Sequence, residues 1–109
     1  MNNQEAFNKM VQHLRAQKVK SLGSDGTCLY RGPNGLKCAV GALIPDTEYR
    51  REFEKALAST IVQKCPSLQG IDPYLLDRMQ CTHDETTVGF WESDFKDTAR
   101  EFGLYVPHQ

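Results

Sequence analysis

The sequence predicts an α+β domain in which about four amphipathic helices pack around one short β-hairpin. Two patterns predict it: apolar residues recur at helical spacing in four segments, and one tight-turn sequence separates two short runs of β-forming residues. A chain of 109 residues is long enough to bury an apolar core of its own. We therefore expect residues 1–109 to form a single globular domain.

The first helix is predicted over residues 3–22, because apolar side chains there repeat at intervals of three and four. That stripe consists of Phe7, Met10, Val11, Leu14 and Leu22. The following residues, Gly23-Ser24-Asp25-Gly26, are typical of a turn and should end the helix.

The hairpin is predicted around Gly32-Pro33-Asn34-Gly35. Proline presets the backbone of a tight turn, and Asn-Gly adopts positive φ angles at little cost. The turn is flanked by residues 27–31 and 36–40, two short runs with β-forming side chains. Two such runs around such a turn indicate a β-hairpin.

Three further helices are predicted over residues 46–64, 73–83 and 90–102. Asp46 can cap the first of them, and Asp72 before Pro73 is a strong helix-start signal for the second. Gly103 is suited to end the third. The tail at residues 104–106 is compatible with a third short strand.

Charge and cysteine content limit the function classes. The net charge is −1, which gives no overall attraction to nucleic acid, although residues 1–45 are mainly basic and residues 72–109 mainly acidic. No apolar run is long enough to cross a bilayer, and the first residues lack the pattern of a secretory signal. We expect a cytoplasmic protein, whose four cysteines are reduced and mostly buried.

The most distinctive stretch runs from Cys28 to Asp46 and is followed later by Gln80–Asp84 and Trp91. Its characteristic motifs are Tyr30-Arg31-Gly32, Gly35, Lys37-Cys38-Ala39-Val40-Gly41, Ile44-Pro45-Asp46 and His83-Asp84. These motifs resemble small uncharacterised proteins encoded by bacteriophages and prophages. The resemblance covers residues 28–91 and implies a genetic setting without a mechanism. Phage accessory proteins of this size often bind and block a host or defence protein, so we expect a non-enzymatic binding protein of this kind, without a cofactor.

The partner-binding surface is predicted at the turn, on Tyr30, Arg31, Asn34 and Lys37. Tyrosine and arginine are enriched in binding hot spots, because they bury a large area and keep polar groups for recognition. The structural alternative for Tyr30 is a half-buried strand residue.

A cysteine-dependent hydrolase or transferase is one alternative. Cys38 at the start of a helical turn would be the nucleophile, and His83 would be its base. Asp84 or Asp46 would then orient the imidazole ring. The structural alternative, a buried core cysteine at position 38, is the one that we favour.

A zinc module is another alternative, with Cys28, Cys38, Cys81 and His83 as the four ligands. Their spacing lacks the Cys-x-x-Cys pattern that makes such a site specific. The basic face of the first helix, with Arg31 and Lys37, would also suit a nucleic-acid-binding module. No known recognition motif accompanies these residues, and we do not favour that function.

Overall fold

Helices of two kinds make up the structure, a computed structural model that describes residues 1–109. The four α-helices are α1 (Asn3–Gln17), α2 (Ala58–Ile61), α3 (Pro73–Glu85) and α4 (Trp91–Phe102). Short 3₁₀ helices join them at Pro33–Gly35, Gly41–Leu43, Arg51–Lys55, Val62–Lys64, Pro66–Leu68 and Val88–Phe90. None of the helices combines the length and the apolar character needed to span a membrane.

The predicted hairpin is wrong, and the fold is all-helical and not α+β. The only β features are two isolated antiparallel bridges, Leu22 with Cys28 and Arg31 with Lys37. The backbone N–H groups of Tyr30 and Arg31 donate to the Glu54 carboxylate, at 2.8 and 3.1 Å. Since side-chain acceptors take up these donors, no ladder of backbone hydrogen bonds forms beside the turn.

The predicted C-terminal strand is also absent. The backbone N–H of Tyr105 donates to the side chain of Gln4, which returns a bond to the Tyr105 carbonyl. Further along, the Arg15 guanidinium donates to the carbonyls of Pro107 and His108. Residues 104–109 therefore lie along α1 without a strand partner.

Helix α1 is confirmed in its buried stripe but is shorter than predicted. It begins at a capping box, in which Asn2 and Glu5 each satisfy the other's backbone N–H. It ends at Lys18, which adopts the left-handed conformation with φ 65°. The predicted end at Leu22 is wrong, and that side chain is 37% exposed.

The single helix predicted over residues 46–64 is wrong, because the segment is broken by an extended bend at Ala56 and Leu57. Asp46 does not cap a helix and pairs instead with Arg31. The bend is held from outside, since the Ser59 N–H donates to Asp77 of α3 at 2.9 Å. Tertiary hydrogen bonds have therefore overridden the local helical pattern.

Helices α3 and α4 are confirmed with nearly the predicted bounds. Asp72 caps α3 by accepting from the Tyr74 N–H, and Gly103 ends α4 with φ 66°. The two helices are joined by Arg78, which pairs with Asp94 at 2.9 Å. That hydrogen-bonded pair lowers the pKa of the Asp94 carboxyl to about 2.

One cluster of 23 buried apolar residues joins all four α-helices, so the core is continuous. Its largest fully buried members are Phe7, Phe53, Phe95, Met10, Leu14, Ile44, Ile61, Leu68, Leu75, Leu76 and Met79. The outer face of α3, opposite Leu75, Leu76 and Met79, remains open and forms one wall of the site described next.

Candidate functional site

Two of the residues predicted to contact a partner, Tyr30 and Arg31, are engaged in hydrogen bonds within the protein. Tyr30 is 5% exposed, and its hydroxyl donates to the Ala56 carbonyl at 2.7 Å. The Arg31 guanidinium donates to the Ile44 carbonyl and pairs with Asp46. The polar groups of both side chains are therefore engaged within the fold, and they leave little free surface for a partner.

The other two members of that predicted surface lie on either side of the turn. Asn34 is exposed and adopts φ 58°. Lys37 is half-buried, and its N–H and carbonyl are both bound by the side chain of Gln17. The structure does not bring these residues into a common contact surface with Tyr30.

Cys38 is fully buried in the core and accepts a hydrogen bond from the Gly41 N–H at 3.2 Å. Burial raises the pKa of its thiol to about 12, although that hydrogen bond acts in the opposite direction. A thiol in this environment stays protonated and is sheltered from reagents. Its surroundings support packing and not nucleophilic catalysis.

Thiol labelling should distinguish the four cysteines. At about pH 8 we expect iodoacetamide to modify the exposed Cys81 first and Cys28 slowly, because burial raises the pKa of Cys28 to about 11. Cys38 and Cys65, both buried, should react only after unfolding in urea. Peptide mass spectrometry reads out the order. Rapid labelling of Cys38 in the native protein would contradict its assignment to the core.

His83 is fully buried, and both of its ring nitrogens are engaged. Nε2 lies 2.9 Å from the backbone N–H of Ser21, which can only donate, so Nε2 is the acceptor. Nδ1 lies 2.7 Å from the Asp84 carboxylate, so Nδ1 carries the proton. A ring with its lone pair already used cannot also act as the base for Cys38.

The structure brings a different cysteine close to this pair. Donor atoms of Cys28, His83 and Asp84 all lie within 4.8 Å of one another, whereas Cys38 and Cys81 of the predicted zinc set fall outside this group. A metal on this trio would have to displace the Ser21 N–H from Nε2 or the proton from Nδ1. The trio therefore fits a hydrogen-bonded structural cluster better than a metal centre.

Next to this cluster lies an open cleft of about 260 Å³, which we call the α3 cleft. Helix α3 forms one wall with side chains at helical spacing, and the extended bend at Ala56 and Leu57, with Ala58 at the start of α2, forms the other. The lining residues are Cys28, Tyr30, Glu54, Ala56, Leu57, Ala58, Asp77, Gln80, Cys81, Asp84 and Glu85.

The α3 cleft is acidic, and its carboxylates are held mainly by neutral donors. Glu54 accepts from two backbone N–H groups and the Tyr49 hydroxyl, and Asp77 accepts from the Ser59 N–H. Asp84 accepts from Gln80 and His83, while Glu85 is exposed. None of these four carboxylates forms an ion pair with a lysine or arginine.

The resulting negative potential acts on neighbouring groups. Burial raises the pKa of both Cys28 and Tyr30, and the charge of Asp84 raises both further. Two cations lie near these carboxylates without pairing with them: the Lys20 ammonium donates to the Asp84 backbone carbonyl at 3.1 Å, and the Arg31 guanidinium lies over the ring of Tyr49, which bonds to Glu54. Because none of the four carboxylates is paired with a lysine or arginine, the cleft favours a positively charged ligand.

Sequence reasoning did not single out Glu54, Leu57, Asp77 or Glu85. One signal was present: Asp77 and Cys81 repeat at helical spacing on the polar side of the third predicted helix, and Asp84 follows its predicted end. The opposite wall gives no such signal, because its residues lie inside the helix predicted over residues 46–64.

Comparison with known proteins adds no assignment, since no protein-family model, no curated protein and no solved structure matches this chain.

Proposed function

We propose that this chain is a small binding protein that recognises a partner protein through the α3 cleft. The observation that carries the proposal is a cleft lined by four carboxylates, none of them paired with lysine or arginine, beside the exposed side chain of Leu57. Uncompensated like charges on one surface cost stability in the free protein. Such a cost is characteristic of binding sites, where activity and stability trade off.

Exposed apolar groups beside the carboxylates support this function. Leu57 is 69% exposed and Tyr74 is 77% exposed. Tyr74 precedes Asp77 by one turn of α3, so the two side chains lie on the same side of the helix. Tyrosine next to charged groups is typical of protein-binding surfaces, because a large apolar area can be buried while the hydroxyl keeps a hydrogen bond.

Binding explains the site better than catalysis does. The two groups of the cysteine-enzyme hypothesis are a buried, protonated thiol at Cys38 and an imidazole at His83 whose nitrogens are both occupied. The resemblance of residues 28–91 to phage-encoded proteins suggests a bacterial host or defence protein as the partner. Blocking such a protein would need only tight occupation of a surface.

A differential capture experiment tests the proposal. The cleft variant carries Leu57→Ser, Asp77→Asn and Glu85→Gln, and the control variant carries Phe90→Ser, Asp97→Asn and Glu52→Gln. Each set replaces one exposed apolar residue and two carboxylates, and no control position lines the cleft. We expect proteins captured from a bacterial lysate by the wild type and the control to be missing from the cleft variant, as measured by quantitative mass spectrometry.

The fold should survive the cleft substitutions. Leu57 and Glu85 are exposed, and the side-chain oxygen of an asparagine at position 77 can still accept from the Ser59 N–H. Circular dichroism and urea denaturation of the cleft variant provide the check. If the folded cleft variant captures the same proteins as the wild type, or if the wild type captures none above the control resin, the proposal is wrong.

A further inference from the structure

We infer that the partner places an arginine side chain in the α3 cleft, with its guanidinium on Asp77 and its methylene groups against Leu57. This inference rests on the proposed function and names the chemistry of the group that the cleft receives. Three features of the cleft support it: the hydrogen-bonding state of Asp77, the apolar wall beside it, and the field of the surrounding carboxylates.

Asp77 is held in place by one hydrogen bond, and its second carboxylate oxygen remains a free acceptor. Its Oδ1 accepts from the Ser59 N–H at 2.9 Å, which fixes the carboxylate against the opposite wall of the cleft. Its Oδ2 receives no hydrogen bond within the chain, and no lysine or arginine neutralises the charge. A preoriented carboxylate with a free oxygen is suited to a charge-assisted hydrogen bond from a cation.

The wall beside Asp77 favours a guanidinium over an ammonium ion. Ser59, the donor to Asp77, follows Leu57 by two residues, so the exposed leucine lies next to the carboxylate. A guanidinium is weakly hydrated and packs its flat faces and its methylene stem on apolar groups, whereas an ammonium ion retains its water. A leucine beside a carboxylate therefore suits arginine better than lysine.

The size of the cleft limits the ligand to about one side chain. Its volume of about 260 Å³ lies below the range of roughly 300–1,000 Å³ that is typical of small-molecule pockets. Asp84 and Glu85 lie two turns along α3, about 10–12 Å from Asp77 by helical rise. One guanidinium on Asp77 would therefore feel these charges as a long-range field and would not touch them.

The experiment uses the whole chain and three small probes. Amide NMR spectra of ¹⁵N-labelled protein are recorded during titration with N-acetyl-arginine amide, N-acetyl-lysine amide and the uncharged, nearly isosteric N-acetyl-citrulline amide. We expect the arginine probe to shift the amides of residues 57–59 and 77 in a saturable way, with the lysine probe binding several-fold more weakly. The citrulline probe should cause no saturable shift, because it lacks the charge.

Two single substitutions distinguish the direct contact of the guanidinium with Asp77 from the long-range effect of the other carboxylates. Asp77→Asn keeps the bond to Ser59 and should weaken binding of the arginine probe about tenfold, since it removes a charge-assisted hydrogen bond. Glu85→Gln should weaken it about twofold, which is the scale of a screened long-range charge. Asp97→Asn on the exposed side of α4 is the control and should change nothing.

Each outcome decides between the hypotheses. The inference is wrong if the citrulline or lysine probe binds as tightly as the arginine probe. It is also wrong if Asp77→Asn leaves the affinity for the arginine probe unchanged, or if the arginine probe does not bind. If capture is lost in the cleft variant while the arginine probe does not bind, the proposed docking surface stands and the arginine is wrong. If the probe binds at Asp77 while capture is unaffected, the docking surface itself is wrong.

Discussion

Replacing Gly41 with alanine should lower the free energy of unfolding by about 3 kcal/mol, the upper end for an overpacked core. A Cβ atom at this position would lie 2.1 Å from the Tyr30 carbonyl oxygen and 2.9 Å from its carbon. The obstacle is backbone, so no side-chain rotation relieves it. Tyr30 has little freedom to retreat, since its N–H is bound to Glu54 and its hydroxyl to Ala56.

Urea denaturation followed by tryptophan fluorescence measures this effect, because Trp91 is buried in the native state. Gly89→Ala is the matched control, since a Cβ there would meet no atom within 4 Å. That control should stay within about 1 kcal/mol of the wild type. A Gly41→Ala variant as stable as the Gly89→Ala variant would show that the close approach between residues 41 and 30 is absent in solution.

Replacing His83 with alanine should lower the free energy of unfolding by about 3 kcal/mol, from two sources. The Ser21 N–H would lose its acceptor in a fully buried position. The ring would also leave a cavity beside Trp91, whose indole stacks on it with centroids 6.0 Å apart. Thermal unfolding and urea titration both measure the loss.

His83→Gln should recover part of that stability, because the longer amide side chain can bring an oxygen towards the Ser21 N–H. His108→Ala serves as the control, since this histidine is exposed. If His83→Ala is no less stable than His108→Ala, the buried hydrogen bond to Ser21 does not contribute to the fold. A labile metal on His83 would show itself differently, as destabilisation of the wild type by a chelator.

Helices α1, α3 and α4 were predictable because their signals are local. Asp72 before Pro73 and Gly103 after Phe102 specify helix ends within one turn, and the apolar stripes specify the buried faces. Such signals require no knowledge of the rest of the chain. The predicted bounds of α3 and α4 therefore agree with the structure to within two residues.

The hairpin and the second helix failed for the opposite reason. Glu54 accepts from the N–H groups of Tyr30 and Arg31, which lie 24 and 23 residues away, and Asp77 accepts from that of Ser59, 18 residues away. No local pattern records these bonds. The α3 cleft was missed with them, because one of its walls contains the extended bend beside Ser59, whose N–H is bound by Asp77.

The two hydrogen bonds from the Tyr30 and Arg31 N–H groups to Glu54 have a spectroscopic consequence. In a sheet, amide hydrogen exchange at two neighbouring positions reports on a whole ladder, whereas here it reports on a single carboxylate that also lines the cleft. Any molecule that draws Glu54 towards itself must loosen both amides together. The resonances and exchange rates of these two protons therefore report, without an attached label, on any ligand that engages Glu54.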